Sequence, residues 1–154
     1  MSKEEYSLFW TNFKEFLKNN PCPIDFESAS HQFFQITKLR GYDLRIDFCV
    51  SYKEGGVNNW KTRVELYGLK NAKNRDRYTY FKNNLEKMRK VLPDYEIDFR
   101  KLSEDDKGIG WKLYVGTNDL VHRQCEDIEI YRYYVKTLNC MVEALAVFFE
   151  PYKK

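Results

Sequence analysis

Little in this chain announces chemistry. Its 154 residues include four cysteines, Cys22, Cys49, Cys125 and Cys140, and two histidines, His31 and His122. No two cysteines stand as CxxC and the histidines lie far apart, whereas a zinc site needs clustered ligand pairs. Neither a metal nor any cofactor is therefore expected. The seven glycines make no fingerprint: Gly55-Gly56 has neither a following helix nor a lysine, so it does not read as a phosphate loop. No run approaches the ~20 apolar residues of a membrane span, and the start has no apolar segment of the kind that opens a secretory signal. The expectation is a cytoplasmic protein with no membrane partner and four free thiols in a reducing compartment. Net charge is only +3, too small to argue nucleic acid from the overall field, since such proteins concentrate their basic residues on one face. Internal repeats, low-complexity tracts and long linkers are all missing, so residues 1–154 are read as one domain.

Aromatics are what the chain has in quantity, with 12 Tyr, 11 Phe and 3 Trp. Most fall on periodic faces, which assigns them to a core. Residues 3–19 place Tyr6, Phe9, Trp10, Phe13, Phe16 and Leu17 on one helical face, and Pro21 follows as a stop. A polar connector is read over 20–30 and a short strand at Gln32–Thr37. The period then changes to two. Tyr42, Leu44, Ile46, Phe48, Val50 and Tyr52 alternate with polar residues, and after the loop 53–59 so do Trp60, Thr62, Val64 and Leu66. These two strands should pair as a hairpin, with Asp43, Arg45 and Asp47 facing Lys61, Arg63 and Glu65 so that opposite charges meet.

Asparagines at 71 and 74 suit a helix start, and Tyr78, Phe81, Leu85, Met88 and Leu92 continue at helical spacing to Pro93. A second hairpin follows: Tyr95, Ile97 and Phe99, a loop at Ser103–Gly108, then Trp111, Leu113 and Val115. The closing helix spans about 124–150. The order α-β-β-β-α-β-β-α predicts an α+β fold in two layers, with three helices on an antiparallel sheet of about five strands.

Four places carry candidate chemistry. The middle helix sets Lys70, Lys73, Arg75, Arg77, Lys82, Lys87, Arg89 and Lys90 against only Asp76 and Glu86, eight cations to two acids or +6 over residues 70–90. Phosphates attract such a surface, and Arg75, Arg77, Lys82, Arg89 and Lys90 are the candidate nucleic-acid contacts. An ordinary solvated helix face is the bland account, and the acidic loop Glu104-Asp105-Asp106 offsets part of the field. The sheet carries Asp47 and Glu65, which a magnesium-dependent nuclease would use as its acids. Tyr67 stands where the lysine of such a site belongs, so no catalytic residue is assigned outside that alternative. His122, Cys125, Glu126 and Asp127 cluster locally but straddle a helix start, where acids complement the dipole. Finally, Ile128, Tyr131, Val135, Leu138, Val142 and Leu145 keep a seven-residue repeat along the closing helix. A second line of Tyr134, Met141 and Phe148 runs beside it. Either the chain's own sheet or a second copy must cover that stripe, which makes these six the candidate homodimer interface. No small-molecule ligand is expected.

Phe9-Trp10 with Phe13, Phe16 and Leu17, the alternating Lys61–Tyr67 strand, the Asn74–Leu85 helix and the ending Phe148-Phe149 with Pro151 together resemble a bacterial domain-of-unknown-function family numbered 4268. The likeness runs over about residues 6–152. That family brings no established activity and no catalytic residues. Some members carry the domain behind a nuclease-like N-terminal segment, which implies by association an accessory role near DNA. The reading is a non-enzymatic interaction domain acting near nucleic acid; the alternatives are a degenerate or cryptic magnesium-dependent nuclease and a structural homodimeric subunit.

Overall fold

The structure is a computed structural model and describes residues 2–27, 34–50, 62–71, 73–116 and 125–154. It is α+β: six antiparallel strands form one sheet, with helices packed on one face. In chain order the elements are α1 (Lys3–Leu17), β1 (Ile24–Phe26), β2 (Phe34–Leu39), β3 (Arg45–Cys49), β4 (Arg63–Asn71), α2 (Lys73–Val91), β5 (Glu96–Asp105), β6 (Gly108–Gly116) and α3 (Asp127–Phe149), closed by a 3-10 turn at Glu150–Tyr152. The spatial strand order is β1-β2-β3-β4-β6-β5.

Two expectations change. The polar connector contains β1, a three-residue edge strand that pairs with β2 through Ile24↔Leu39; with only Ile24 buried, it has no periodicity to reveal it. The loop expected at Ser103–Gly108 is mostly strand: β5 runs to Asp105 and β6 starts at Gly108, leaving Asp106 and Lys107 as the turn. Gly108 has φ +145° and a Cβ there would lie 2.1 Å from the Asn71 carbonyl oxygen, so only glycine fits. His31, Tyr52, the loop at 53–59, Trp60, Lys61 and His122 lie outside the described residues.

Period-two patterning sets the sheet. Ile46 and Phe48 of β3, Val64 and Leu66 of β4, and Trp111, Leu113 and Val115 of β6 are all buried and point toward the helices. α1 and α3 bring Phe9, Phe13, Tyr131 and Tyr134 against Phe48 in one aromatic cluster, with Phe13 5.1 Å and Tyr134 5.1 Å from the Phe48 ring. Three tyrosine hydroxyls then tie elements that are distant in sequence. Tyr131 donates to the Phe9 carbonyl (2.6 Å), Tyr134 to Cys49 (2.7 Å) and Tyr80 to Phe148 (2.8 Å). Each gives a ring packed in or against the core a satisfied polar end.

Beneath α2, Trp111 lies over a glycine. A Cβ on Gly68 would fall 2.2 Å from the indole, so the tryptophan occupies the space a side chain would need. Phe81 and Phe99 flank it at 5.3 and 5.6 Å, and its Nε1 donates to Asn74 O at 3.3 Å.

Candidate functional site

The face of the sheet away from the helices is where the charges collect. Cross-strand register builds it in rows. One row reads Lys38, Arg45, Tyr67, Lys112, Arg100 across β2, β3, β4, β6 and β5. The next reads Ile36, Asp47, Glu65, Tyr114, Asp98. This corrects the expected pairing of opposite charges: Asp47 sits directly opposite Glu65, and Arg45 opposite Tyr67. Register follows the apolar pairs Ile46↔Leu66 and Phe48↔Val64 on the other face, because a one-residue slip would turn the whole core outward.

Neutralisation comes along the strands instead. Arg45 donates to both Asp47 oxygens, at 2.9 and 3.0 Å. Arg63 donates to Glu65 at 2.7 Å, and Lys112 reaches the other Glu65 oxygen at 3.2 Å. Asp47 is pushed up from the ordinary carboxylate range by burial, opposed by the Arg45 hydrogen bond. Cations and rings interleave as well: Arg45 lies 4.2 Å from the Tyr67 ring and Arg63 4.7 Å from Tyr114.

The layering matters for what a ligand meets. The side chains of Asp47 and Glu65 are 3% and 0% exposed, whereas Lys38, Arg45 and Lys112 are 40%, 20% and 17% exposed. Asp47 and Glu65 lie underneath, cations with tyrosines form the outer layer, and Asp98 on the edge strand β5 is exposed at 56%.

At one end of the basic row the sheet meets the start of α2, and a pocket of about 420 Å³ opens there. Lys38 and Arg45 line it from the sheet, Lys73 and Arg77 from α2, with Asn71 and Asn74 between them. Asn71 accepts the Asn74 backbone N–H at 3.1 Å and so caps the helix. Asp43 accepts from Arg77 at 2.7 Å and Lys73 at 3.0 Å, contacts that hold its carboxyl below the usual range.

The candidates on the middle helix separate into two groups. Arg75 pairs with Glu104 and donates to Asp105 O, Arg77 also donates to Asp43 O and lies over Tyr152, and Arg89 donates to Ile97 O and pairs with Glu86. These arginines bind α2 to its own fold, and the acidic end of β5 takes up Arg75 together with Lys70. Lys82 and Lys90 are exposed, Lys82 beside the Tyr78 ring.

On the closing helix, Tyr131, Leu138 and Leu145 are buried in the chain's own core with Ile130, Tyr134, Thr137, Met141 and Phe149. Val135 and Val142 are half-buried and Ile128 is exposed. The sheet and its companion helices therefore bury three of the six residues of the seven-residue line. Among the described residues no group of three or more histidine, cysteine or acidic side chains could hold a metal ion. Cys125 is half-buried and its thiol is pushed up, first by burial and then by Glu129 and Asp127.

The sequence reading missed Lys112, Lys38 and the pocket. The signal was present in the alternation of Lys112 and Tyr114 with Trp111, Leu113 and Val115, but their neighbours depend on register. The molecule is thus an α+β domain with one helix-covered face and one cationic, tyrosine-bearing face. Comparison with protein-family models, with curated proteins and with solved structures gave no match. No helix among the described residues is long and apolar enough to cross a membrane.

Proposed function

We propose that this chain is a non-enzymatic binding domain, an accessory module acting near nucleic acid, and that a single strand lies across the basic row. The observation that supports this is the layering of the outer face, with the buried Asp47 and Glu65 carboxylates paired to Arg45 and Arg63 beneath a surface of cations and tyrosines. Strands about 4.8 Å apart space the cations along a line that a phosphate backbone can follow. Single-strand binders combine such a cationic track with aromatic rings.

The test is filter binding of a short single strand over a salt series. Lys38→Gln with Arg100→Gln should weaken binding and flatten the salt dependence by ~0.7 in log–log slope for each phosphate that is no longer neutralised. Arg75→Glu with Lys82→Glu should leave affinity within about twofold, because the strand runs over the sheet and its phosphates do not reach those two positions of α2. Wild-type affinity in the first variant would overturn the proposal.

One observation favours the second reading, a magnesium-dependent nuclease on Asp47 and Glu65. Lys112, arriving from β6, supplies the lysine that the strand of Glu65 lacks. Against it, Arg45 and Arg63 already occupy oxygens a metal would need. Magnesium-dependent cleavage of DNA that disappears in Asp47→Asn would establish it.

A further inference from the structure

We infer that the pocket between β2, β3, β4 and the start of α2 is a binding site for a nucleoside phosphomonoester, either the phosphorylated end of a strand or a free nucleotide. The inference deepens the binding reading above and rests on it, since the pocket terminates the same basic row.

Two kinds of surface meet there. Four cations, Lys38, Arg45, Lys73 and Arg77, line the pocket with two acids, Glu27 and Asp43, and Arg45 is also paired with Asp47, which leaves a surplus of one positive charge. A phosphate monoester carries close to two negative charges at neutral pH, and the four cationic side chains offer it donors. Asp43 holds Lys73 and Arg77 in place, and Glu27 lies 3.3 Å from Lys38, so these cations are oriented before any ligand arrives. Three other lining side chains are apolar or aromatic: Ile36, Tyr67, whose ring lies 4.2 Å from Arg45, and Leu69. Leu69 is 51% exposed, an apolar side chain left open beside lysines and arginines. Inorganic phosphate would use the cations and leave Leu69 wet. A nucleoside phosphate satisfies both, with its phosphate on the cations and the base against Leu69. The volume of about 420 Å³ falls in the range of small-molecule sites, ~300–1,000 Å³.

The experiment is calorimetric titration of the full chain with four probes: a short DNA strand with free hydroxyl ends, the same strand carrying a terminal phosphate at either end, adenosine monophosphate, and inorganic phosphate. A terminal phosphate is expected to tighten strand binding roughly tenfold, the yield of about one charge-assisted hydrogen bond. Lys73→Gln and Leu69→Glu should each abolish that gain while binding the hydroxyl-ended strand as wild type does. Both positions are exposed, and unchanged thermal unfolding of the variants will verify the fold. Adenosine monophosphate should bind more tightly than inorganic phosphate. Equal affinity for phosphorylated and hydroxyl-ended strands, with no binding of the mononucleotide, overturns the pocket assignment and leaves the strand reading standing. Binding of the mononucleotide without any strand binding does the reverse and identifies a free nucleotide as the source. Equal binding of phosphate and mononucleotide refutes the role of Leu69. Silence from all four probes overturns both.

Discussion

Gly68→Ala is the sharpest test of how this sheet is packed. The added methyl would stand 2.2 Å from Trp111 Cε2 and Nε1 and 2.6 Å from Cδ1, where carbon atoms normally approach no closer than ~3.5 Å. The indole must therefore retreat by more than an ångström, or β4 must. Neither is free to do so. Trp111 is 1% exposed, wedged between Phe81 and Phe99, and its Nε1 donates to Asn74 O at 3.3 Å. Overpacking in a tight core costs ~1–3 kcal/mol, and loss of the indole hydrogen bond adds ~1 kcal/mol, so the variant should be about 2–4 kcal/mol less stable in urea denaturation. For a chain of this length that lowers Tm by ~2–4 °C per kcal/mol. The same change in a Trp111→Leu background should cost less than about 1 kcal/mol, because the atoms it strikes are gone; the cycle then reports a coupling above ~1 kcal/mol. Gly41→Ala is the control: φ is +84° but a Cβ there has nothing within 4 Å, so only backbone strain of order 1 kcal/mol remains. A neutral Gly68→Ala, or a coupling near zero, would refute this account.

Tyr134→Phe removes the hydroxyl that donates to Cys49 O and strands a buried carbonyl; the urea midpoint should fall by the equivalent of ~1–3 kcal/mol, and an unchanged midpoint would mean water replaces the hydroxyl. Asp43, held below its ordinary value of 3.8 first by Arg77 and then by Lys73, contributes stability that is complete above that value and is lost as pH falls through its lower folded value. Urea midpoints measured from neutral to strongly acid pH should lose part of their acid slope in Asp43→Asn, and an identical slope would contradict the clamp. Cys49 is fully enclosed, and burial, then Glu65 and Asp47, pushes its thiol far up. It should resist a thiol reagent at pH 8 until the chain unfolds, and rapid labelling of the native protein at Cys49 would show that the outer face opens.

The elements legible from sequence are those in which one periodicity runs unbroken. Alternation of Leu44, Ile46, Phe48 and Val50 is enough to place β3, since burying one face of a strand forces a period of two. The opening, middle and closing helices were legible for the corresponding reason at 3.6 residues per turn. The α+β class follows from their order. Where apolar periodicity fades, the reading faded with it. β1 buries only Ile24, and the polar ends of β5 and β6 look like loop although the ladder continues through Ser103↔Gly110 and Glu104↔Ile109.

Asp47 and Glu65 were readable as an acidic pair on the exposed face, but not as direct neighbours, nor as buried, nor as partners of Lys112. Those facts depend on register and on β6 inserting between β4 and β5, which local sequence does not encode. The basic stretch at 70–90 was equally visible. Only the tertiary structure assigned Arg75 to the end of β5, Arg77 to Asp43 and Arg89 to Ile97, leaving Lys82 and Lys90 as the exposed candidates on the helix. For α3 the sequence by itself determined that a wide apolar stripe must be covered. The sheet, α1 and α2 decided which residues are covered, because a helix packs on the one face its neighbours leave room for. Sequence thus determined which residues seek burial and in which element; the tertiary structure alone determined which charges meet, because cross-strand neighbours are chosen by the core on the opposite face.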